Sequence, residues 1–218
     1  MQNGRKIGFV VLDWSGTVSD DRRCVWSANM AMLAQVGKPQ ISFEEWLPTT
    51  RLTAAEFLWD HGVEGTKEEL TNWYQKELAK AKGAGIVPLP YPDALETVHD
   101  LVAYGIIVAV LSSHPEDHLR EETAKFGFDG LIAEIVGNSH NKVDGLNKLV
   151  VTLGVRERRY VLFVGDTVYD IRAAKDAGVL SAGVCYGYHT RNRLAAENPD
   201  FLFGRIGELK RVIATLPT

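Results

Sequence analysis

Cysteine is scarce in this chain: Cys24 and Cys185 stand far apart with no paired spacing, which offers neither a disulfide framework nor a thiolate zinc site. Long apolar runs are also missing. The run Ile7 to Leu12, which follows Met1-Gln2-Asn3-Gly4-Arg5-Lys6, is too short for a signal peptide or a membrane span. No block of like charge occurs, and 24 basic against 28 acidic residues leave a net charge of -4, so there is no basic footprint for nucleic acid or an anionic membrane. Internal repeats and low-complexity tracts are absent as well. These absences lead to the expectation of a soluble protein in a reduced, cytoplasmic setting, with a small molecule as its partner and oligomeric state left open.

What is present suffices for a sizeable core: 218 residues with 45% hydrophobic content make one large domain, or a core with a smaller insertion. Short β-branched runs recur at residues 7–12, Ile106 to Leu111, Leu131 to Val136, Tyr160 to Val164 and Val179 to Val184, and read as buried strands. Between them lie stretches of helical period: Leu95, Val98, Leu101 and Val102; Leu119, Ala124 and Phe126; Val143, Leu146, Leu149, Val150 and Leu153; Ile171, Ala174 and Ala177. Alternating strand and helix predicts an α/β fold, a Rossmann-like parallel sheet with helices on both faces.

Residues 20–87 break the alternation. Val25, Ala28, Met32 and Val36 form one helical stripe, and Leu70, Trp73, Tyr74, Leu78 and Ala81 another, so this segment reads as a small helical domain inserted after the first strand. Lys82-Gly83-Ala84-Gly85 and Pro88-Leu89-Pro90-Tyr91-Pro92 punctuate its end, giving a core of residues 1–19 and 88–218. Trp26, Trp46, Trp59 and Trp73 all fall in the insertion, where they either pack its helices or line a substrate pocket.

Ligands of open parallel sheets bind outside the carboxyl ends of the strands, so the residues that follow each apolar run are the candidates for chemistry. The first run ends in Asp13, followed by Trp14-Ser15-Gly16-Thr17; the run to Leu111 ends in Ser112 and Ser113; the run to Val164 ends in Gly165-Asp166-Thr167, with Asp170 a turn later. Carboxylates brought that close raise one another's pKa unless a cation joins them, and magnesium suits an all-oxygen set of Asp13, Asp166 and Asp170. Ser112, amides after Asp13 and Ser112, and a lysine would serve a phosphate. Lys142, at a helix start, is the better placed; Lys148 sits on that helix's polar side.

In this order the residues resemble the haloacid dehalogenase superfamily of phosphatases and related enzymes. Asp13 to Val18, Ser112, Lys142 and Gly165 to Asp170 are similar to its four motifs, residues 20–87 to its helical cap, and Gly183-Val184-Cys185-Tyr186-Gly187-Tyr188 with Asn198-Pro199-Asp200 to its phosphoglycolate-phosphatase-like branch. The resemblance implies a magnesium-dependent phosphatase for a small phosphorylated metabolite, working through an aspartyl-phosphate on Asp13. It implies metal ligation by Asp13, the Ser15 carbonyl and Asp166, with Asp170 nearby, phosphate binding by Gly16, Thr17, Ser112, Ser113 and Lys142, and a cap that selects substrate.

The sequence departs from that pattern at Ser15, where the hydrolytic members carry an aspartate as general acid and base, a role a serine hydroxyl cannot fill near neutral pH. Slow or substrate-assisted phosphatase chemistry is the first expectation. A phosphonatase-like hydrolase is the second, although the segment Trp46-Leu47-Pro48-Thr49-Thr50-Arg51, searched for an imine-forming lysine, offers Arg51. Metal-free dehalogenase chemistry fits Gly165-Asp166-Thr167 poorly, and a phosphate- or metabolite-binding protein without turnover is the reading from another class. Arg51 is a candidate grip on substrate or an ordinary solvated arginine. Trp14 either stacks on substrate or pins its turn, Thr17 is a phosphate-side hydroxyl or a turn residue, and His114 touches substrate or caps a helix. His61, His99, His118, His140 and His189 show no ligand spacing, which favours surface or hydrogen-bonding roles.

Overall fold

The computed structural model describes residues 7–51 and 53–214. In chain order its elements are β1 (Phe9–Leu12), β2 (Ser19–Asp20), α1 (Arg22–Gln35), α2 (Phe43–Trp46), α3 (Ala54–Asp60), α4 (Lys67–Gly83), β3 (Leu89–Pro90), α5 (Ala94–Ala103), β4 (Ile107–Leu111), α6 (Glu116–Lys125), β5 (Glu134–Val136), α7 (Lys142–Thr152), β6 (Val161–Gly165), α8 (Val168–Asp176), β7 (Leu180–Val184), α9 (Arg191–Ala195), β8 (Phe201–Phe203) and α10 (Leu209–Ala214). They gather into two compact units, Met1–Ser19 with Pro90–Thr218, and Asp20–Leu89. β2 and β3 pair as a short ribbon where the chain passes between them.

The first unit is built on a six-stranded sheet in the order β5-β4-β1-β6-β7-β8, every neighbouring pair parallel. Phe9 lies opposite Ile107 on one side and Val161 on the other, so β1 is central. Side chains alternate along a strand, and both faces are covered. Val10, Leu12, Val108, Val110, Leu162 and Val164 pack with Ala94, Val98 and Leu101 of α5 and Leu119 of α6. Val11, Ala109, Leu111 and Phe163 pack on the other face with Leu146, Leu149 and Val150 of α7 and Ala173 and Ala174 of α8. This two-sided burial is why the strands read as continuous apolar runs, and it makes the unit the α/β, Rossmann-like fold the sequence predicts.

Two edges differ from expectation. The run Leu131 to Val136 supplies only Glu134–Val136 to the sheet, because Leu131 and Ile132 pack against the core before the strand begins. β8 was not foreseen: Phe201-Leu202-Phe203 is too short to stand out as a run, and its place comes from pairing with β7.

In the second unit α1 and α4 carry the two apolar stripes, with α2 and α3 as short helices the periodicity does not announce. Ser42 with Glu45, Thr53 with Glu56 and Thr66 with Glu69 close capping boxes that start α2, α3 and α4. Trp46 is buried and Trp26 meets Phe43 edge-on at 6.1 Å, which is packing of the helices themselves. Trp59 is exposed and donates its indole N–H to the Gly65 carbonyl at 3.0 Å. Among the described residues no helix is long and apolar enough to cross a membrane.

Candidate active site

The site begins with strand register. The Asp13 amide donates to the Val164 carbonyl at 2.8 Å, continuing the β1–β6 ladder by one residue and putting Asp13 beside the Gly165-Asp166 end of β6. Asp170 joins them from the first turn of α8. Ligand oxygens of Asp13, Asp166 and Asp170 lie within 4.8 Å of one another, and all three side chains are buried. Lys142, the first residue of α7, places Nζ 3.0 Å from Asp13 Oδ1 and hydrogen-bonds Asp170 Oδ1. The structure thus brings together the four residues that the sequence singles out from the first, third and fourth motifs.

Burial pushes the Asp13 carboxyl up to about 7, with Lys142 pulling it down and the Asp170 charge adding to the rise. Burial likewise raises Asp166 well above the usual carboxylate range, reinforced by the charges of Asp13 and Asp170. Burial disfavours the Lys142 ammonium, but Asp13 and Asp170 outweigh it and hold the pKa above the ordinary lysine value. Three buried carboxylates facing one ammonium leave excess negative charge when all are ionised. An oxygen-only donor set of this sign fits a hard divalent cation such as magnesium.

Local structure fixes each group. Thr167 caps α8 through a capping box: its hydroxyl accepts from the Asp170 amide, while Asp170 Oδ2 accepts from the Thr167 amide at 3.0 Å and the Thr167 hydroxyl at 2.6 Å. Asn141 caps α7 by accepting from the amides of Val143 and Asp144, which sets the start of the helix that carries Lys142. Gly16 has φ +75°, and a Cβ there would stand 2.3 Å from Asp166 Oδ2, so the turn after Asp13 requires glycine on both conformational and steric grounds.

That turn also corrects part of the expected phosphate nest. The Gly16 amide donates to the Ser19 carbonyl, and those of Thr17, Val18 and Ser19 donate to the Trp14 carbonyl, so the turn uses these four itself. Ser15 is half-buried and bridges to Ser19. The Thr17 hydroxyl donates to Asp166 Oδ1 at 3.1 Å, which gives it a carboxylate as partner. Trp14 belongs to the core: its ring stacks on Phe126 at 5.9 Å and meets Phe128 edge-on, and its indole N–H bonds Glu122. Of the two readings of Trp14, stacking on substrate is excluded.

Ser112 follows the end of β4, buried, its amide donating to the Val136 carbonyl and its Oγ accepting from the His114 amide at 3.3 Å. Ser113 is exposed. Lys148 is exposed on α7, and Arg51, in the second unit, pairs with Asp60 at 2.6 Å with about half of each side chain in solvent. The Tyr188 partner escaped the sequence reading, and His189 takes the hydrogen-bonding role expected of it, buried rather than at the surface. The Tyr188 amide donates to Asp166 Oδ2 at 2.6 Å, and buried His189 accepts from the Val168 amide at 3.0 Å through Nδ1. The available signal was position: both follow the end of β7, on the edge where the other strands present their polar residues.

A profile of haloacid dehalogenase-like hydrolases matches residues 10–184, which takes in most of β1, the insertion and all four motifs. The chain belongs to this family. A phosphoglycolate phosphatase of Haemophilus influenzae is 34% identical to this haloacid dehalogenase-like chain over 128 residues, covering 56% of the chain and 57% of that protein. A phosphoglycolate phosphatase of Mannheimia succiniciproducens is 29% identical over 161 residues, covering 72% and 69%. The matched region thus spans little more than half of the Haemophilus protein. In fold, the chain is similar to a haloacid dehalogenase-like family hydrolase of Streptococcus pneumoniae, with TM-score 0.80 at 16% identity over 94% of this chain and 97% of that one. It is also similar to a structure from Haemophilus somnus described as a predicted phosphoglycolate phosphatase, with TM-score 0.78 at 23% identity over 94% and 97%.

Proposed function

We propose that this chain is a magnesium-dependent phosphatase for a small phosphorylated metabolite, with Asp13 as nucleophile. The observation that carries the reading is the set of Asp13, Asp166 and Asp170 within 4.8 Å beside the Lys142 ammonium. Asp13 attacks phosphorus, the bond to the leaving oxygen breaks, and water then cleaves the aspartyl-phosphate to return the carboxylate and release phosphate. A bound magnesium supplies the charge neutralisation that lets an anionic phosphoryl group approach an anionic nucleophile. Asp13, the Ser15 carbonyl and Asp166 would hold it, with Asp170 as third or outer carboxylate. Lys142 and Ser112 hold phosphoryl oxygens, with Ser113 as a further donor, while Gly16 and Thr17, whose amides serve their own turn, shape the site around them, the Thr17 hydroxyl donating to Asp166. The names of the curated relatives make 2-phosphoglycolate the first substrate to try. A reducing, cytoplasmic setting suits Cys24 and Cys185, which are not joined in a disulfide.

Ser15 makes turnover slow, because it cannot pass a proton to the leaving oxygen or take one from water. The test is phosphate release from a panel of phosphate and phosphonate esters, with and without magnesium, for the native protein and Ser15→Asp. The expected result is weak magnesium-dependent release that rises about a hundredfold in Ser15→Asp and vanishes in Asp13→Asn. A native protein already fast, with no gain from Ser15→Asp, would overturn the missing-acid account. Release from phosphonates alone would move the reading to a phosphonatase-like hydrolase, and magnesium-dependent ligand binding with no release from any variant would move it to a binding protein.

A further inference from the structure

We propose that the turn Gly187-Tyr188-His189 sets the orientation of the Asp166 carboxylate, and that His189 is a positioning residue pinning this turn to the start of α8; the inference rests on the metal-dependent reading of the site. The turn embraces Asp166 at several points. The Tyr188 amide donates to Oδ2 at 2.6 Å, and the His189 amide to the Asp166 backbone carbonyl at 3.3 Å. At Gly187 a Cβ would stand 2.2 Å from Oδ2 and 2.4 Å from the Asp166 Cβ, so the backbone approaches as closely as glycine permits. Gly16 also closes on Oδ2, and the Thr17 hydroxyl donates to Oδ1 at 3.1 Å. Each oxygen therefore accepts a hydrogen bond, which restrains the carboxylate from turning about its Cβ–Cγ bond.

His189 supplies the anchor. The Val168 amide belongs to the first turn of α8, where backbone N–H groups have no partner within the helix. It donates to Nδ1 of the buried imidazole at 3.0 Å, which requires the neutral ring with its hydrogen on Nε2. Burial, which holds the His189 pKa down to about 4, agrees with that form. One imidazole thus ties the turn after β7 to the helix that begins two residues after Asp166. Groups that orient a metal ligand in this way change metal affinity by about 10–100-fold when removed.

The experiment is manganese binding to the full chain, followed by calorimetry and by the spin-resonance signal of the free ion, for the native protein, His189→Leu, His189→Asn and Gly187→Ala, with circular dichroism reporting the fold. His189→Leu and Gly187→Ala are expected to lose about 10–100-fold in affinity while remaining folded. His189→Asn, whose Oδ1 can take the place of Nδ1, is expected to restore native affinity. Unchanged affinity in His189→Leu, or a loss in His189→Asn equal to that in His189→Leu, overturns the role of His189. Should His189→Leu not fold, Gly187→Ala decides whether the turn orients Asp166 and His189→Asn whether the acceptor is what matters. A native protein that binds no manganese brings down the metal-dependent function itself, whereas native binding with unaffected variants brings down only the positioning role.

Discussion

Asp13 is held in a place that suits its proton better than its charge until a cation arrives. Its pKa, raised by burial from 3.8 to about 7, means that the folded protein binds this proton more tightly than the unfolded chain does. Stability from this group is therefore full below about pH 4 and lost as pH rises toward 7. Asp13→Asn removes the buried charge and leaves Lys142 its Asp170 partner. In metal-free buffer at pH 8 this variant should be about 1–2 kcal/mol more stable than the native protein, a Tm higher by about 2–6 °C in a thermal melt, although it releases no phosphate. At this scale the sequence disclosed whichever residues follow an apolar run or open a helix, which covers Asp13, Ser112, Lys142, Asp166 and Asp170. It did not disclose the partner of Thr17 or the burial of Trp14, because both depend on residues more than a hundred positions away, Asp166 and Glu122.

Among the elements, α8 carries most of the site's order, since its capping box holds Asp170 in the rotamer that meets Lys142. Thr167→Val removes both cap hydrogen bonds of that hydroxyl and should cost about 1–2 kcal/mol in urea unfolding. It should also weaken magnesium binding, measured by calorimetry. Gly16→Ala acts on the opposite wall: φ +75° strains any side chain, and the new methyl stands 2.3 Å from Asp166 Oδ2. About 1–3 kcal/mol of destabilisation is expected from the backbone strain, with loss of metal binding beyond what unfolding explains. The elements that were legible are those with an apolar stripe, α1, α4, α5, α6, α7 and α8, or a run buried on both faces, β1, β4, β6 and β7. β8 has three residues and earns its position only by pairing, and α2 and α3 are announced by their capping boxes more than by any stripe.

For the molecule as a whole, protons and the proposed cation would compete for the same buried carboxylates. Magnesium at a hundred times its Kd should add about 2.7 kcal/mol to stability. The gain in Tm on adding a fixed magnesium concentration should grow from pH 5 to pH 8, because Asp13 gives up its proton across that window. A gain independent of pH in a differential scanning melt would mean that the cation does not engage Asp13.

The sheet order has a consequence for the birth of the protein. Phe9 needs Ile107 on one side and Val161 on the other. At a synthesis rate of about 5–20 residues per second, the strand that leads into Asp13 leaves the ribosome roughly 8–30 s before its second neighbour is made. Until Ile107–Leu111 is made, Phe9–Leu12 is an apolar strand with both hydrogen-bonding edges unsatisfied, and one edge stays open until Val161–Gly165 follows, the kind of segment that pairs with the wrong chain. The centre of the sheet, begun first, is thus completed late as the chain is made, since its second partner, Val161–Gly165, comes late in the sequence.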